Sequence, residues 1–206
     1  MRILILGSSG RLGNLLYKSL KNNHQVFNNG LKKRRYDISN FNEFQKLLIN
    51  KLDLIVNCSG ETNIENCEKN KRQLAKQENS FKKFISLARK RKIKLIQIST
   101  DHMYDNPNFY KSSNEKTKPI INNYYTKYKI TLENIALKKN ALILRTNFFS
   151  PSMKNHFIDN ILKKARKFKL INLAKDQYFS PLNIYTLVKI LKTIINKKKI
   201  FNGVYN

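Results

Sequence analysis

Three glycines near the start of the chain restrict its fold more than any other feature. Gly7, Gly10 and Gly13 follow the apolar run 3–6 and precede a helical-looking stretch over 14–20. A buried strand, a glycine turn and a helix N-terminus form the arrangement that receives a dinucleotide pyrophosphate. Backbone N–H groups at a helix start lack intrahelical partners, and the helix dipole favours an anion there. Glycine is needed where a Cβ would block the tight turn or the approach of the phosphates. An ordinary glycine turn of an α/β protein reads the same way, so the flanking strand and helix carry the inference.

The rest of the chain repeats that strand–helix alternation. Apolar β-type runs recur at 2–6, 25–27, 52–57, 94–99 and 141–145, with amphipathic stretches at 41–50, 71–90 and 124–137 between them. This predicts an α/β fold: a doubly wound, Rossmann-like parallel sheet with helices on both faces. Continuously apolar runs such as 54–56 and 141–144 suit strands covered on both sides. Ligands of such sheets gather at the carboxyl ends of the strands. Small and polar residues stand at those ends here: Gly7-Ser8-Ser9, Asn57-Cys58-Ser59-Gly60, Ser99-Thr100-Asp101 and Thr146-Asn147. Residues 107–123 read as a loop over that face. Beyond 147 the pattern changes, to a helix over 157–168, an extended stretch over 170–173 and a periodic helix over 184–196. The predicted organisation is a dinucleotide-binding domain at 1–147 and a small substrate-binding region at 148–206 interleaved with it.

Composition sets outer limits. A chain of 206 residues with 41% hydrophobic residues can bury the core of one domain. No apolar run approaches the ~20 residues of a membrane span. Met1 leads directly into the first run, leaving no room for a signal peptide, and a cytoplasmic protein is expected. Cys58 and Cys67 are spaced neither as a metal site nor as a disulfide framework, which suits a reducing compartment. The formal charge of +28 invites a nucleic-acid reading. The lysines, however, spread along the whole chain, and their densest runs fall at predicted helix ends and loops. They read as a general field that would steer a phosphorylated substrate, without a specific nucleic-acid site.

Tyr125 and Lys129 lie four residues apart on the helix predicted over 124–137, so they project from one face. An ammonium beside a phenol favours the phenolate and would lower its pKa toward the working range. That would equip Tyr125 to give a proton to a ketone oxygen as hydride arrives. Tyr17–Lys21 and Tyr185–Lys189 share the spacing in this lysine-rich chain. Position separates Tyr125, which follows the Ser99-Thr100-Asp101 strand end and a loop.

Taken in order, these motifs resemble the extended short-chain dehydrogenases/reductases, and within them the dTDP-4-dehydrorhamnose reductase (RmlD-type) group. The resemblance runs through Gly7-x-x-Gly10-x-x-Gly13, Asp37-Ile38-Ser39, Val56-Asn57-Cys58-Ser59-Gly60 and the segment from Thr62 to Glu68. It continues through Gln97-Ile98-Ser99-Thr100-Asp101, Tyr125-x-x-x-Lys129 with Glu133, Leu144-Arg145-Thr146, and Asp176-Gln177 with Ser180-Pro181. It implies Thr100, Tyr125 and Lys129 as the catalytic triad. Thr100 would bond the substrate carbonyl, Tyr125 would supply the proton, and Lys129 would hold the nicotinamide ribose. It further implies a cofactor cradle of Gly7, Ser9, Gly10, Arg11, Leu12 and Gly13. Asp37 and Ile38 would lie by the adenine, and Cys58, Ser59, Gly60 and Thr62 along the ribose, with no metal.

The implied function is reduction of a nucleotide-linked 4-keto-6-deoxy sugar by NADP or NAD. The alternatives are an epimerase or dehydratase of the same superfamily, or a non-catalytic binding subunit. Where the family carries an acidic residue for the adenosine ribose, this chain has Asn28 and Asn29, followed by Lys32, Lys33, Arg34 and Arg35, which favours NADP. The family's tyrosine after Ser-Thr-Asp is His102, read as a pocket wall, and Leu182 replaces a threonine. The resemblance ends at Gly203-Val204-Tyr205-Asn206, where such enzymes continue. The substrate region is therefore expected to be truncated, with a second copy or partner subunit completing the pocket.

Overall fold

The computed structural model describes residues 1–28, 36–48, 51–104, 113–150, 157–167, 170, 180–198 and 200–206. Six strands form one parallel sheet: β1 (Arg2–Leu6), β2 (Gln25–Asn28), β3 (Leu54–Asn57), β4 (Lys94–Ser99), β5 (Leu142–Arg145) and β8 (Gly203–Tyr205). Their order is β2-β1-β3-β4-β5-β8. The chain reverses its direction of winding between β1 and β3, which opens a crevice at their carboxyl ends. A separate two-residue parallel pair joins β6 (Phe148–Phe149) to β7 (Leu182–Asn183).

Strand residues alternate between two cores, and both are apolar. Leu4, Leu6, Ile55 and Ile143 face α2 (Phe41–Phe44), α4 (Lys71–Lys90) and α5 (Tyr124–Leu137). Ile3, Ile5, Val56 and Ile96 face α1 (Arg11–Leu20) and α7 (Ile184–Asn196). Period-2 patterning with no polar face is what a sheet covered on both sides requires. On α7, Ile184, Leu187, Val188, Leu191 and Ile195 form one buried stripe that packs beside α1.

The helices predicted over 71–90, 124–137 and 184–196 occupy those residues. Three features differ from expectation. Of the stretch 41–50, the described residues form one α-turn at Phe41–Phe44 followed by a 3-10 turn at Gln45–Leu48, pinned by Phe44 stacked on Phe84 with centroids 3.9 Å apart. A short helix, α3 (Ile64–Lys69), starts where the Asn63 side chain accepts the Asn66 N–H. Lastly, β8 is paired with β5 through Leu142↔Gly203 and Leu144↔Tyr205, so the end of the chain returns to the sheet. The remaining helix, α6, spans Phe157–Lys167. Parts of the stretches read as a loop at 107–123 and as extended at 170–173 lie outside the described residues, as do Asn29, the Lys32–Arg35 cluster and Asp176-Gln177.

Candidate active site

The glycine turn follows directly from β1. Gly7 has φ +75°, a conformation L side chains rarely adopt, and its carbonyl accepts the Gly10 N–H at 2.9 Å. A Cβ on Gly7 would stand 2.7 Å from the Cys58 and Ser59 backbone, across the β1–β3 crevice. A Cβ on Gly13 would collide with the Gly7 carbonyl. These two glycines therefore close the turn onto the chain itself. Gly10 differs: a Cβ there would meet only the Gly7 oxygen, at 3.2 Å, and otherwise open space. Gly10 is also the N-cap of α1, with no side-chain cap and no acidic residue in the first turn. The first-turn N–H groups thus face an open approach, the chemistry a pyrophosphate needs.

The other cradle residues divide by exposure. Ser9 and Gly10 are exposed and Arg11 is half-buried, whereas Leu12 is buried in the core beside α7, so only its backbone can serve a ligand. Ser8 is fully buried and its Oγ has no hydrogen-bond partner. On the far side of the crevice, Ser59 N–H and Oγ both donate to Asn57 Oδ1, at 3.0 and 2.5 Å. Asn57 in turn donates to Gln97 Oε1 at 2.8 Å. This buried amide pair joins β3 to β4 and fixes the start of the Ser59-Gly60 turn. Burial pushes the Cys58 thiol up to about 12, so it remains neutral.

Asp37 and Ile38 are spent locally. The Asp37 carboxylate accepts the Ser39 N–H at 2.8 Å and the Ser39 hydroxyl, and Ile38 packs against the core. Thr62 is exposed, with its N–H bonded to Glu61 Oε1 at 2.8 Å.

Thr100, Tyr125 and Lys129 converge, although Thr100 directly follows β4 and the other two sit on α5. Tyr125 and Lys129 are each only 7% exposed. Lys129 Nζ stands 5.7 Å from the Tyr125 ring centroid. Thr100, 4% exposed, accepts the His102 N–H at 3.2 Å and stands near enough to the Tyr125 phenol to favour its ionised form. Gly60, at φ +136°, lies beneath the ammonium: a Cβ there would sit 3.0 Å from Lys129 Nζ. The start of α5 is tied down twice. Asn123 and Thr126 form a reciprocal capping box, and Glu68 accepts the Tyr124 N–H at 2.6 Å.

One electrostatic expectation is reversed. Burial raises the Tyr125 pKa above its ordinary value; the neighbouring Thr100 hydroxyl opposes this and Asp101 adds to it. Lys129 is not among the causes. Its ammonium stands over the ring, 5.7 Å from the centroid, and burial lowers its own pKa. Tyr125 is therefore a neutral phenol, a stored proton, and not a tuned phenolate.

The exposed His102, read from the sequence as a pocket wall, sets its ring edge-on to Tyr125 at 5.9 Å. Sequence reasoning assigned no role to three other residues around this point. Asp101 is half-buried, with Oδ1 lacking a partner and its pKa raised by burial. Behind α5, Glu133 and Arg145 form a buried ion pair. Both stand in the motifs that carry the resemblance, but nothing in their spacing pairs them. Among the described residues, no cluster of acidic, histidine or cysteine side chains could hold a metal ion.

A parallel doubly wound sheet, a glycine turn at its reversal point and a buried tyrosine–lysine–threonine cluster beside it define a nucleotide-binding α/β protein of the short-chain dehydrogenase/reductase type. More narrowly, the chain belongs to the RmlD substrate binding domain family, whose model matches residues 1–206. It is 25% identical over 215 residues to the dTDP-4-dehydrorhamnose reductase of Aggregatibacter actinomycetemcomitans, covering 100% of this chain and 72% of that protein. A hypothetical dTDP-4-dehydrorhamnose reductase from Sulfolobus tokodaii superposes with a TM-score of 0.85 at 25% identity, over 99% of this chain and 75% of its own. The Bacillus anthracis dTDP-4-dehydrorhamnose reductase, solved in complex with NADP, has a TM-score of 0.83 at 22% identity, over 99% and 73% of the two chains.

Proposed function

We propose that this chain is an NAD(P)-dependent reductase of a nucleotide-linked 4-keto-6-deoxy sugar, of the dTDP-4-dehydrorhamnose reductase type. The observation that carries this reading is the neutral, buried Tyr125 with Thr100 and Lys129 beside it, at the carboxyl edge of a sheet whose glycine turn presents a helix N-terminus. The nicotinamide cofactor, when bound, supplies the hydride. The chain supplies the rest. Gly10 and the first turn of α1 receive the pyrophosphate. Lys129, above Gly60, bonds the ribose. Thr100 orients the ketone oxygen, and Tyr125 gives it a proton as the carbon gains hydride, so that ketone becomes alcohol. Regeneration requires Tyr125 to be reprotonated, and its raised pKa favours that at neutral pH.

Residues 1–147 carry the cofactor side in this reading. The β6–β7 pair and α6 begin the sugar-nucleotide side, while α7 and β8 return to the sheet. NADP is favoured over NAD because Asn28 stands at the end of β2 and the Lys32–Arg35 cations follow it in sequence. No helix among the described residues is long and apolar enough to cross a membrane, and both cysteines are free, which supports a cytoplasmic setting.

The test is to mix the protein with a dTDP-4-keto-6-deoxy sugar and either NADPH or NADH, and to follow the absorbance of the reduced nicotinamide. Oxidation in step with sugar, faster with NADPH, is expected. Tight NADPH binding without turnover would replace this reading with the non-catalytic subunit. Conversion of the sugar without net oxidation would favour the epimerase or dehydratase.

A further inference from the structure

The site has two halves on separate elements: Thr100 directly after β4, and Tyr125 with Lys129 on α5. One buried side chain touches what lies behind both. Arg145 ends β5 and is 7% exposed, directly alongside Ser99 in the β4–β5 register. Its Nε lies 3.1 and 3.2 Å from the two Glu133 oxygens, and its Nη2 donates to Glu133 Oε2 at 2.8 Å. Glu133 is itself 2% exposed and stands one helical turn beyond Lys129 and two beyond Tyr125. The remaining arm of the fork, Nη1, donates to Tyr104 Oη at 2.5 Å, and the guanidinium carbon lies 5.2 Å from the Tyr104 ring centroid. Tyr104 closes the 3-10 turn His102–Tyr104, and the His102 N–H that opens this turn donates to Thr100 Oγ1 at 3.2 Å. Tyr104 Oη passes its own proton to Asn206 Oδ1 at 3.0 Å, so the acceptor is oriented by a further bond.

We infer that Arg145 is a positioning residue, whose guanidinium fixes Thr100 against Tyr125 by holding α5 through Glu133 and the post-β4 turn through Tyr104. This rests on the reductase reading for its effect on turnover, though not for its geometry. A buried ion pair is a poor source of stability compared with apolar packing of the same volume. What it supplies is direction. The planar fork donates to two acceptors at set angles, which a lysine ammonium or an apolar side chain does not reproduce. The two acceptors belong to the two elements whose spacing the chemistry needs.

The discriminating experiment uses Arg145→Lys, which keeps a cation for Glu133 but loses the fork. A second variant, Arg145→Met with Glu133→Leu, removes both buried charges and so strands neither. The Tyr125 phenol is followed by tyrosine 13Cζ NMR during alkaline titration, its signal assigned by its loss in Tyr125→Phe. The other groups around that phenol, Asp101, Cys67, Lys129 and His102, are left in place by both variants. The Thr100 hydroxyl favours the ionised phenol, so moving it away from Tyr125 shifts the titration midpoint upward in both variants. In a Thr100→Val background, where that hydroxyl is already gone, the same changes leave the midpoint where it is. In parallel, kcat falls by ~10- to ~100-fold with KM little changed, the range that misplacing a reacting group costs. A merely structural Arg145 would lower the melting temperature and leave the titration and the KM-against-kcat split alone. A Tyr125 midpoint unmoved by both variants, or moved equally with Thr100 replaced, overturns the inference. If the wild type reduces no keto-sugar nucleotide, the reductase reading fails and the titration cycle still decides the role of Arg145.

Discussion

Replacing each of the three turn glycines with alanine separates what the chain needs for itself from what it offers a ligand. At Gly7, alanine must adopt φ +75°, which costs about 1–2 kcal/mol. Its Cβ would also press at 2.7 Å on the Cys58–Ser59 backbone, which cannot swing aside as a side chain can. Overpacking of this kind adds ~1–3 kcal/mol, while the stiffer unfolded chain returns about 0.4–1 kcal/mol. The net loss is about 2–4 kcal/mol, or roughly 5–15 °C in melting temperature for a domain of this size. Gly13→Ala meets the Gly7 carbonyl and should fall in the same range. Gly10→Ala is different. Its φ of −76° and ψ of 168° suit any residue, and only the Gly7 oxygen lies near. Its cap loss and entropy gain nearly cancel, leaving stability within about 0.5 kcal/mol. The methyl stands on the open approach to the helix N-terminus, however, so NADPH affinity should fall about tenfold or more, equivalent to ~1.4 kcal/mol. Ligand-free thermal unfolding by circular dichroism and NADPH titration by fluorescence measure the two quantities separately. The assignment of roles is refuted if Gly10→Ala binds NADPH as the wild type does, or if all three variants lose stability alike.

Two further outcomes follow from the burial of the site. Tyr125→Phe keeps the ring and removes the proton, so kcat should drop ~10²–10⁴-fold with NADPH affinity intact; Tyr17→Phe and Tyr185→Phe, assayed beside it, should turn over normally. Lys129→Met should abolish turnover yet raise the melting temperature at neutral pH by about 3 °C or more, the equivalent of ~1 kcal/mol here. Burial lowers the folded-state pKa of Lys129 below the ordinary 10.5. The unfolded chain therefore holds that proton more tightly, and the cost is present in full at pH values below the folded pKa. It is relieved as pH climbs through the folded value toward 10.5, so the stability gap between Lys129→Met and wild type should narrow over that window. A gap that stays constant with pH would show that the ammonium carries no such penalty.

The fold was legible where local pattern and tertiary demand coincide. The helices at Lys71–Lys90, Tyr124–Leu137 and Ile184–Asn196 have long periodic stripes and clear ends, and β1, β3, β4 and β5 are nearly unbroken apolar runs. Where an element is short, pattern is too sparse to register. α3 has six residues and is defined by its Asn63 cap, and β8 has three and is defined by its partner β5. The candidate site was legible as a set of strand ends, because parallel topology brings carboxyl ends together whatever the loops do. Its electrostatics was not. The spacing of Tyr125 and Lys129 predicts a depressed phenol, but the sign depends on burial and on where the ammonium stands relative to the hydroxyl, neither of which spacing encodes. The three glycines look alike in sequence, whereas in the structure Gly7 and Gly13 are required by the backbone that follows β3 and by the turn itself, and Gly10 borders open space.

Burial also resolves the ambiguity that the lysine-rich composition creates. Three tyrosine–lysine pairs share the same helical spacing, and 41 lysines and arginines make such coincidences common. In the structure Lys21 and Lys189 are exposed, and Tyr185 is 54% exposed, so those pairs lie in solvent where an ammonium and a phenol interact weakly. Only Tyr125–Lys129 is enclosed on both members. Among the described residues the buried cations are Lys129 and Arg145, and both sit within two turns of Tyr125 on the same flank of α5 or bonded to it. The other described cations reach solvent and can act on a phosphorylated ligand only as a screened, long-range field. Cations kept out of water need a reason for being there. For Arg145 it is the fork that joins Glu133 to Tyr104, and for Lys129 it is the place that Gly60 leaves for its ammonium, where an anionic or hydroxylated partner would restore the hydration it has lost.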